Sequence, residues 1–146
     1  MNTEEAIRTR RAVKAYDPSF QLSREEKDEL LQLALLAPSA FNLQHVRFVE
    51  VSDPALRAQI REVGWNQAQM TDASMLVVIC AQVDSWGKNV RRVWDGAPSE
   101  VQDYMAGAID AYYRGKPQVQ RDEAMRSCGL MAQTLMLAAR AKGLDS

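Results

Sequence analysis

The chain holds one histidine, His45, and two cysteines, Cys80 and Cys128, in 146 residues. A lone histidine leaves His-rich metal sites and a Ser-His-Asp triad without support. The cysteines sit in apolar contexts with no metal-ligand spacing, and they read as free buried thiols of a reducing compartment. No apolar run is long enough to cross a bilayer. The opening Met1-Asn2-Thr3-Glu4-Glu5 has no signal-peptide character. Net charge is also lacking: the formal value is −1 and the pI about 5.9, which argues against general nucleic-acid binding. Internal repeats, linkers and low-complexity tracts are absent. The expectation is a single cytoplasmic domain spanning 1–146, with its own core and no membrane or nucleic-acid partner.

What the chain does have is a local cationic cluster on a nearly neutral protein. Arg8, Arg10, Arg11 and Lys14 fall between a short helix and the turn at Asp17-Pro18-Ser19. Arg grips phosphate through paired hydrogen bonds, and Lys adds a point charge. Cations at a helix C-terminus also complement the macrodipole, and that alone could account for them.

The rest of the chain reads as helix-rich α+β. Thr3 is placed to cap a first helix, with Glu4 and Glu5 in its first turn. Ser23-Arg24-Glu25-Glu26 is a capping box, and it opens a helix with Leu30, Leu33, Ala34 and Ala37 on one face. Pro38-Ser39-Ala40-Phe41-Asn42 reads as an irregular loop. A strand over 46–51 puts Val46, Phe48 and Glu50 on one side. Asp53-Pro54 starts a helix carrying Leu56, Ile60 and Val63. The apolar run 75–81 predicts a central strand buried on both faces. The Trp-containing stretch 84–98 reads as a surface excursion. A helix follows with Val101, Tyr104, Met105, Ala108 and Tyr112 at helical spacing. The last helix, about 122–141, is apolar almost all round, which requires a central position or a subunit interface. Gly143 suits its C-terminal cap. Two strands are too few for a self-sufficient sheet.

Three segments in this order carry a resemblance. They are Arg10-Arg11-Ala12-Val13-Lys14-Ala15-Tyr16, Ala37-Pro38-Ser39-Ala40-Phe41-Asn42-Leu43-Gln44, and Asn66-Gln67-Ala68-Gln69-Met70-Thr71-Asp72-Ala73-Ser74. Together they resemble the FMN-dependent, oxygen-insensitive NAD(P)H nitroreductase family. The resemblance implies an α+β nitroreductase-like sandwich, with a central mixed sheet flanked by helices, assembled as an intertwined homodimer with FMN at its interface. It implies that Arg10, Arg11, Ala12 and Lys14 line the phosphate and ribityl side. Pro38, Ser39, Ala40 and Asn42 would approach the flavin from the other subunit, and Asn66 and Gln69 would reach its pyrimidine edge. Amides suit a ring of alternating carbonyls and N–H groups. The implied chemistry is transfer from NADH or NADPH through FMN to a nitroaromatic, quinone or similar small-molecule acceptor, by a ping-pong scheme with no catalytic side chain.

The sequence departs from that pattern in four places. Ala12 stands where many members carry a hydroxyl, and Gln69 where some carry Lys. His45 and Arg47 occupy a stretch that is often Pro-Trp. A C-terminal region expected after Gly143-Leu144-Asp145 is missing. The competing reading is a shortened, non-catalytic dimerisation or binding protein with weak or no FMN. A weaker third is a relative with specialised flavin chemistry such as reductive dehalogenation. His45 reads as a partly exposed polar residue. Tyr112, Tyr113, Trp65, Trp86 and Trp94 read as packing residues, and Met125, Met131 and Met136 as core or interface filler.

Overall fold

The computed structural model describes residues 1–146, with six α-helices and two strands. The helices are α1 (Thr3–Thr9), α2 (Arg24–Leu35), α3 (Pro54–Val63), α4 (Gln69–Asp72), α5 (Ser99–Tyr113) and α6 (Pro117–Ala141); the strands are β1 (Val46–Glu50) and β2 (Val77–Ala81). The residues fall into two compact units. The first comprises Met1–Leu36, Phe48–Ile79 and Ala132–Ser146; the second comprises Ala37–Arg47 and Cys80–Met131.

In the first unit, α1 is capped by Asn2 and not by Thr3: Asn2 Oδ1 accepts the Glu5 N–H at 2.9 Å. The helix stops at Thr9, well before Pro18. Residues 10–16 therefore leave the helix and run without regular structure. Asp17 makes a separate turn, with Oδ1 accepting from the backbone and hydroxyl of Ser19. The capping box of α2 is present: Ser23 Oγ accepts the Glu26 N–H at 3.2 Å, and Glu26 accepts the Ser23 N–H at 2.7 Å. Such a cap contributes about 1 kcal/mol. Leu30 and Ala34, one turn apart, are the buried residues of α2. Lys27 pairs with Glu50 at 2.7 Å, both largely shielded from solvent.

β1 and β2 pair antiparallel. Val51 N–H donates to Leu76 O at one end of the ladder, and Gln82 N–H donates to His45 O at the other. The expected mixed sheet is represented by this one pair. β2 is shorter than the apolar run suggested, and Val78 remains 43% exposed, so the strand is not buried on both faces. Asp53 caps α3 through the Ala55 N–H, with Pro54 in the first turn. The apolar residues of α3 are not a buried face: Leu56 is 44% and Val63 84% exposed.

The second unit is organised around Leu43, Ile109 and Tyr113, with Phe41, Trp86, Val90 and Val119 packed against them. Tyr113 stacks on Trp86 and meets Phe41 and Tyr112 at an angle. The buried face of α5 is thus Ile109 and Tyr113, whereas Tyr104 is largely exposed. The stretch 84–98 is not a loose excursion. It forms two 3-10 turns, Ser85–Gly87 and Val90–Trp94, buries Ser85 and feeds Trp86 and Val90 into this core.

α6 begins at Pro117, five residues earlier than the sequence suggested. Ala124, Ser127 and Met131 are buried in the second unit and Ala139 in the first, but Met125 and Leu130 stay exposed. The helix ends in a Schellman-type cap: Gly143 has φ +81°, and Leu144 N–H donates to Ala139 O at 3.0 Å. Lys142 pairs with Glu29 of α2, and Arg140 bonds Thr9 of α1 and Asp145. Both cysteines are free and half-buried rather than fully buried, and burial pushes the Cys128 thiol up.

Candidate functional site

Because α1 ends at Thr9, Arg10, Arg11 and Lys14 lie beyond the helix on backbone without regular structure, while Arg8 stays in its last turn. The cations of this basic motif divide in two. Arg8 pairs with Glu4 at 2.8 Å. Arg11 donates Nη1 to the carbonyls of Arg8 and Arg10 at 2.9 and 2.8 Å, satisfying helix-end acceptors. Arg10 and Lys14 have no side-chain hydrogen bond or ion pair with the protein. Ala12 is exposed and contributes only backbone.

The segment after α3 carries the two amides. Gly64 closes α3, and a Cβ there would lie 2.9 Å from the Ile60 carbonyl, so the close approach requires glycine. Trp65 and Asn66 follow in left-handed conformation. Asn66 does not cap α4, whose flanking Ala68 makes no side-chain cap; instead its Oδ1 accepts from Arg61 Nε at 2.9 Å. Trp65 is not a packing residue: it is 90% exposed. Gln69 donates to Gln67 Oε1 at 3.3 Å and lines a cleft of about 440 Å³ with Tyr16, Phe20, Leu30, Leu135 and Leu144. This cleft is mostly apolar. Arg10, Lys14 and Asn66 are not in its wall. Tyr16, at the cleft, has its phenol pushed up by burial and by the Asp145 carboxylate.

In the second unit, Pro38, Ser39, Ala40 and Asn42 form a tight turn. Ser39 O accepts the Asn42 N–H at 2.9 Å, and Ser39 Oγ accepts the Gln44 N–H at 2.9 Å. Phe41, Asn42 and Gln44 all have positive φ, so the turn holds three non-glycine residues in left-handed backbone. Phe41 anchors it against Tyr112 and Tyr113, at 5.4 and 6.0 Å between ring centroids. Asn42 is left exposed at the outside of the turn. His45, expected at the surface, is 1% exposed beneath it. Burial holds its imidazole below the ordinary histidine range, against the opposing pull of Glu123 and the Ala40 carbonyl.

The site residues missed in the sequence are Arg57 and Arg61. They lie one turn apart on α3, and both bond the segment that carries Asn66 and Gln69. Their spacing of four, just ahead of Gly64, was the available signal.

The Nitroreductase family model matches residues 7–146. The chain belongs to the nitroreductase family. The protein DrgA of Synechocystis is 52% identical to this nitroreductase-family chain over 146 residues, covering all of it and 70% of DrgA. YodC of Bacillus subtilis, a candidate NAD(P)H nitroreductase by name, is 35% identical over 99% of this chain and 74% of its own length. Among solved structures, a nitroreductase-type protein of Exiguobacterium sibiricum in complex with FMN superposes with a TM-score of 0.88 at 28% identity, covering 99% of this chain and 72% of that one. No helix of this nitroreductase-family chain is long and apolar enough to cross a membrane.

Proposed function

We propose that this chain is an NAD(P)H-dependent FMN oxidoreductase of the nitroreductase type. The observation that carries the reading is the split within the basic motif. Arg8 and Arg11 are used by the protein, whereas Arg10 and Lys14 are left without an acceptor. Two cations without a protein partner, on the irregular segment just beyond α1, suit a phosphate. The polar groups elsewhere suit the remainder of FMN: the exposed amide of Asn42 and the outward amine of Asn66 have no protein partner, and Gln69, whose amine is held by Gln67, offers its carbonyl oxygen to a polar ring edge. Arg11 and Ala12 would line the phosphate and ribityl side, and Pro38, Ser39 and Ala40 would approach the flavin from the partner subunit. Bound FMN would supply the electron chemistry, accepting from NADH or NADPH and passing to a nitroaromatic, quinone or similar acceptor in alternation. The side chains bind and orient; none is needed as nucleophile or general acid.

Within this reading the two units belong to one nitroreductase-like domain, and the protein acts as a cytoplasmic homodimer with FMN at the interface. The exposed apolar residues Met125 and Leu130 on α6, and Val49 and Val78 on the strands, favour a partner surface.

FMN titration, followed by quenching of flavin fluorescence, tests the reading. Arg10→Ala and Lys14→Ala should each weaken binding about tenfold or more, since a charge-assisted bond to phosphate is lost. Their melting temperatures without flavin should not move, because neither side chain bonds the protein. Arg8→Ala is the control and should leave affinity unchanged. Equal affinity in all four proteins would reject the assignment.

A further inference from the structure

Two arginines on α3 hold the turn that follows it. Arg57 donates Nε to the Met70 carbonyl at 2.8 Å and Nη2 to the Ala73 carbonyl. Arg61 donates Nε to Asn66 Oδ1 at 2.9 Å and Nη1 to Thr71 Oγ1 at 3.0 Å. The Arg61 carbonyl also accepts the Asn66 N–H at 2.9 Å. Between these anchors sit Trp65 at φ +58° and Asn66 at φ +53°, consecutive left-handed residues that are not glycine. Each costs on the order of 1 kcal/mol, so the pair persists only where the surroundings over-determine it. Arg61 grips Asn66 at both its backbone and its side chain.

A primary amide has an accepting end and a donating end, and a guanidinium can only donate. With Arg61 Nε on one side, only the Asn66 carbonyl oxygen can face it. Turning the amide over would set N–H against N–H and leave both unpaired. The Asn66 Nδ2 is therefore directed away from Arg61, with no partner in the protein.

We infer that Arg61 is a positioning residue that locks the Asn66 amide with its amine outward, so that Asn66 reads a carbonyl of the flavin pyrimidine edge and not its ring N–H. The inference rests on the FMN reading above and adds to it the polarity of one contact and the residue that sets it.

Sulfur-substituted flavins test it, because a thiocarbonyl accepts hydrogen bonds more weakly than a carbonyl. Affinities for FMN, 2-thio-FMN and 4-thio-FMN are measured for the unaltered protein and for Asn66→Ala, Arg61→Met and Arg61→Lys. The unaltered protein should bind one thio analogue about fivefold more weakly than FMN, the size of one ordinary hydrogen bond. That ratio should fall to about one in Asn66→Ala and in Arg61→Met. Arg61→Lys keeps the charge and a donor without the rigid fork, so it guards against misfolding and should give an intermediate ratio. Melting temperatures without flavin separate a purely structural role: if Arg61→Met and Arg61→Lys lower stability yet keep the full ratio, the positioning role is overturned. If FMN binds but Asn66→Ala keeps the ratio, the contact itself is overturned while the FMN reading stands. If no flavin binds the unaltered protein, both fall together.

Discussion

His45 and Tyr113 lie edge to face in the second unit, ring centroids 6.3 Å apart, and each buries a polar atom that has no partner: His45 Nε2 and the Tyr113 hydroxyl. Two unsatisfied groups side by side beneath the 38–44 turn give that turn an identifiable pH response.

His45 is the acid-side half. Its folded pKa lies below 6.5 because burial disfavours the imidazolium. Below pH 6.5 the unfolded chain takes up a proton that the folded chain resists. Stability is therefore complete above that pH and is lost as pH falls through the window beneath it. Urea unfolding at a series of pH values should show this slope in the unaltered protein and a shallower one in His45→Gln. Identical slopes would show that the imidazole is not desolvated.

Tyr113 is the alkaline half. Its hydroxyl is pushed up to about 12, chiefly by burial and further by Glu123. The folded state keeps the phenol protonated while the unfolded state ionises from about pH 10 upward, so stability is lost as pH rises between those values. Tyr113→Phe removes that loss. At neutral pH the same change should be neutral or stabilising by up to about 1 kcal/mol, since it deletes a buried group with no partner. A loss of several kcal/mol on thermal melting would reveal a bond that the hydroxyl makes after all.

Much of the local structure was legible because short-range chemistry decides it. Ser23 with Glu26, Asp53 with Pro54, and Gly143 each placed a helix end correctly. Most of what failed depended on distant partners, though the cap of α1 was a contest between adjacent residues. Asn2 outcompeted Thr3 as a cap because its carbonyl reaches the Glu5 N–H. On α5, tyrosines fall on more than one face, and hydropathy could not choose Tyr113 over Tyr104. His45 was misplaced because burial of one imidazole is set by Tyr113 and the turn above it, not by its neighbours in sequence. The candidate site followed the same rule. The motifs pointed to Arg10, Lys14, Asn42, Asn66 and Gln69, but only the folded structure separates Arg10 and Lys14 from Arg11, whose guanidinium is held by the Arg8 and Arg10 carbonyls. The clamp of Arg57 and Arg61 is likewise a set of contacts from α3 to the segment after it, five to sixteen residues along the chain.

Gln69 offers a test of the electrostatics around the proposed flavin. It is a neutral residue in a largely apolar cleft. A cation there would stabilise the negative charge that bound FMN gains on reduction. Gln69→Lys should raise the midpoint potential, on the order of 30 mV for about 1.4 kcal/mol in a two-electron couple. Redox titration against a reference dye reads it; an unchanged or lower potential would place Gln69 away from the ring.

The central claim is met most directly by the visible spectrum of the protein, recorded anaerobically with FMN and then with NAD(P)H. The account predicts a flavin band, perturbed relative to free FMN, that bleaches on adding NADH or NADPH and returns with a quinone or nitroaromatic. A spectrum identical to free FMN, with no bleaching, would contradict it and leave a non-catalytic dimerisation or binding protein in its place.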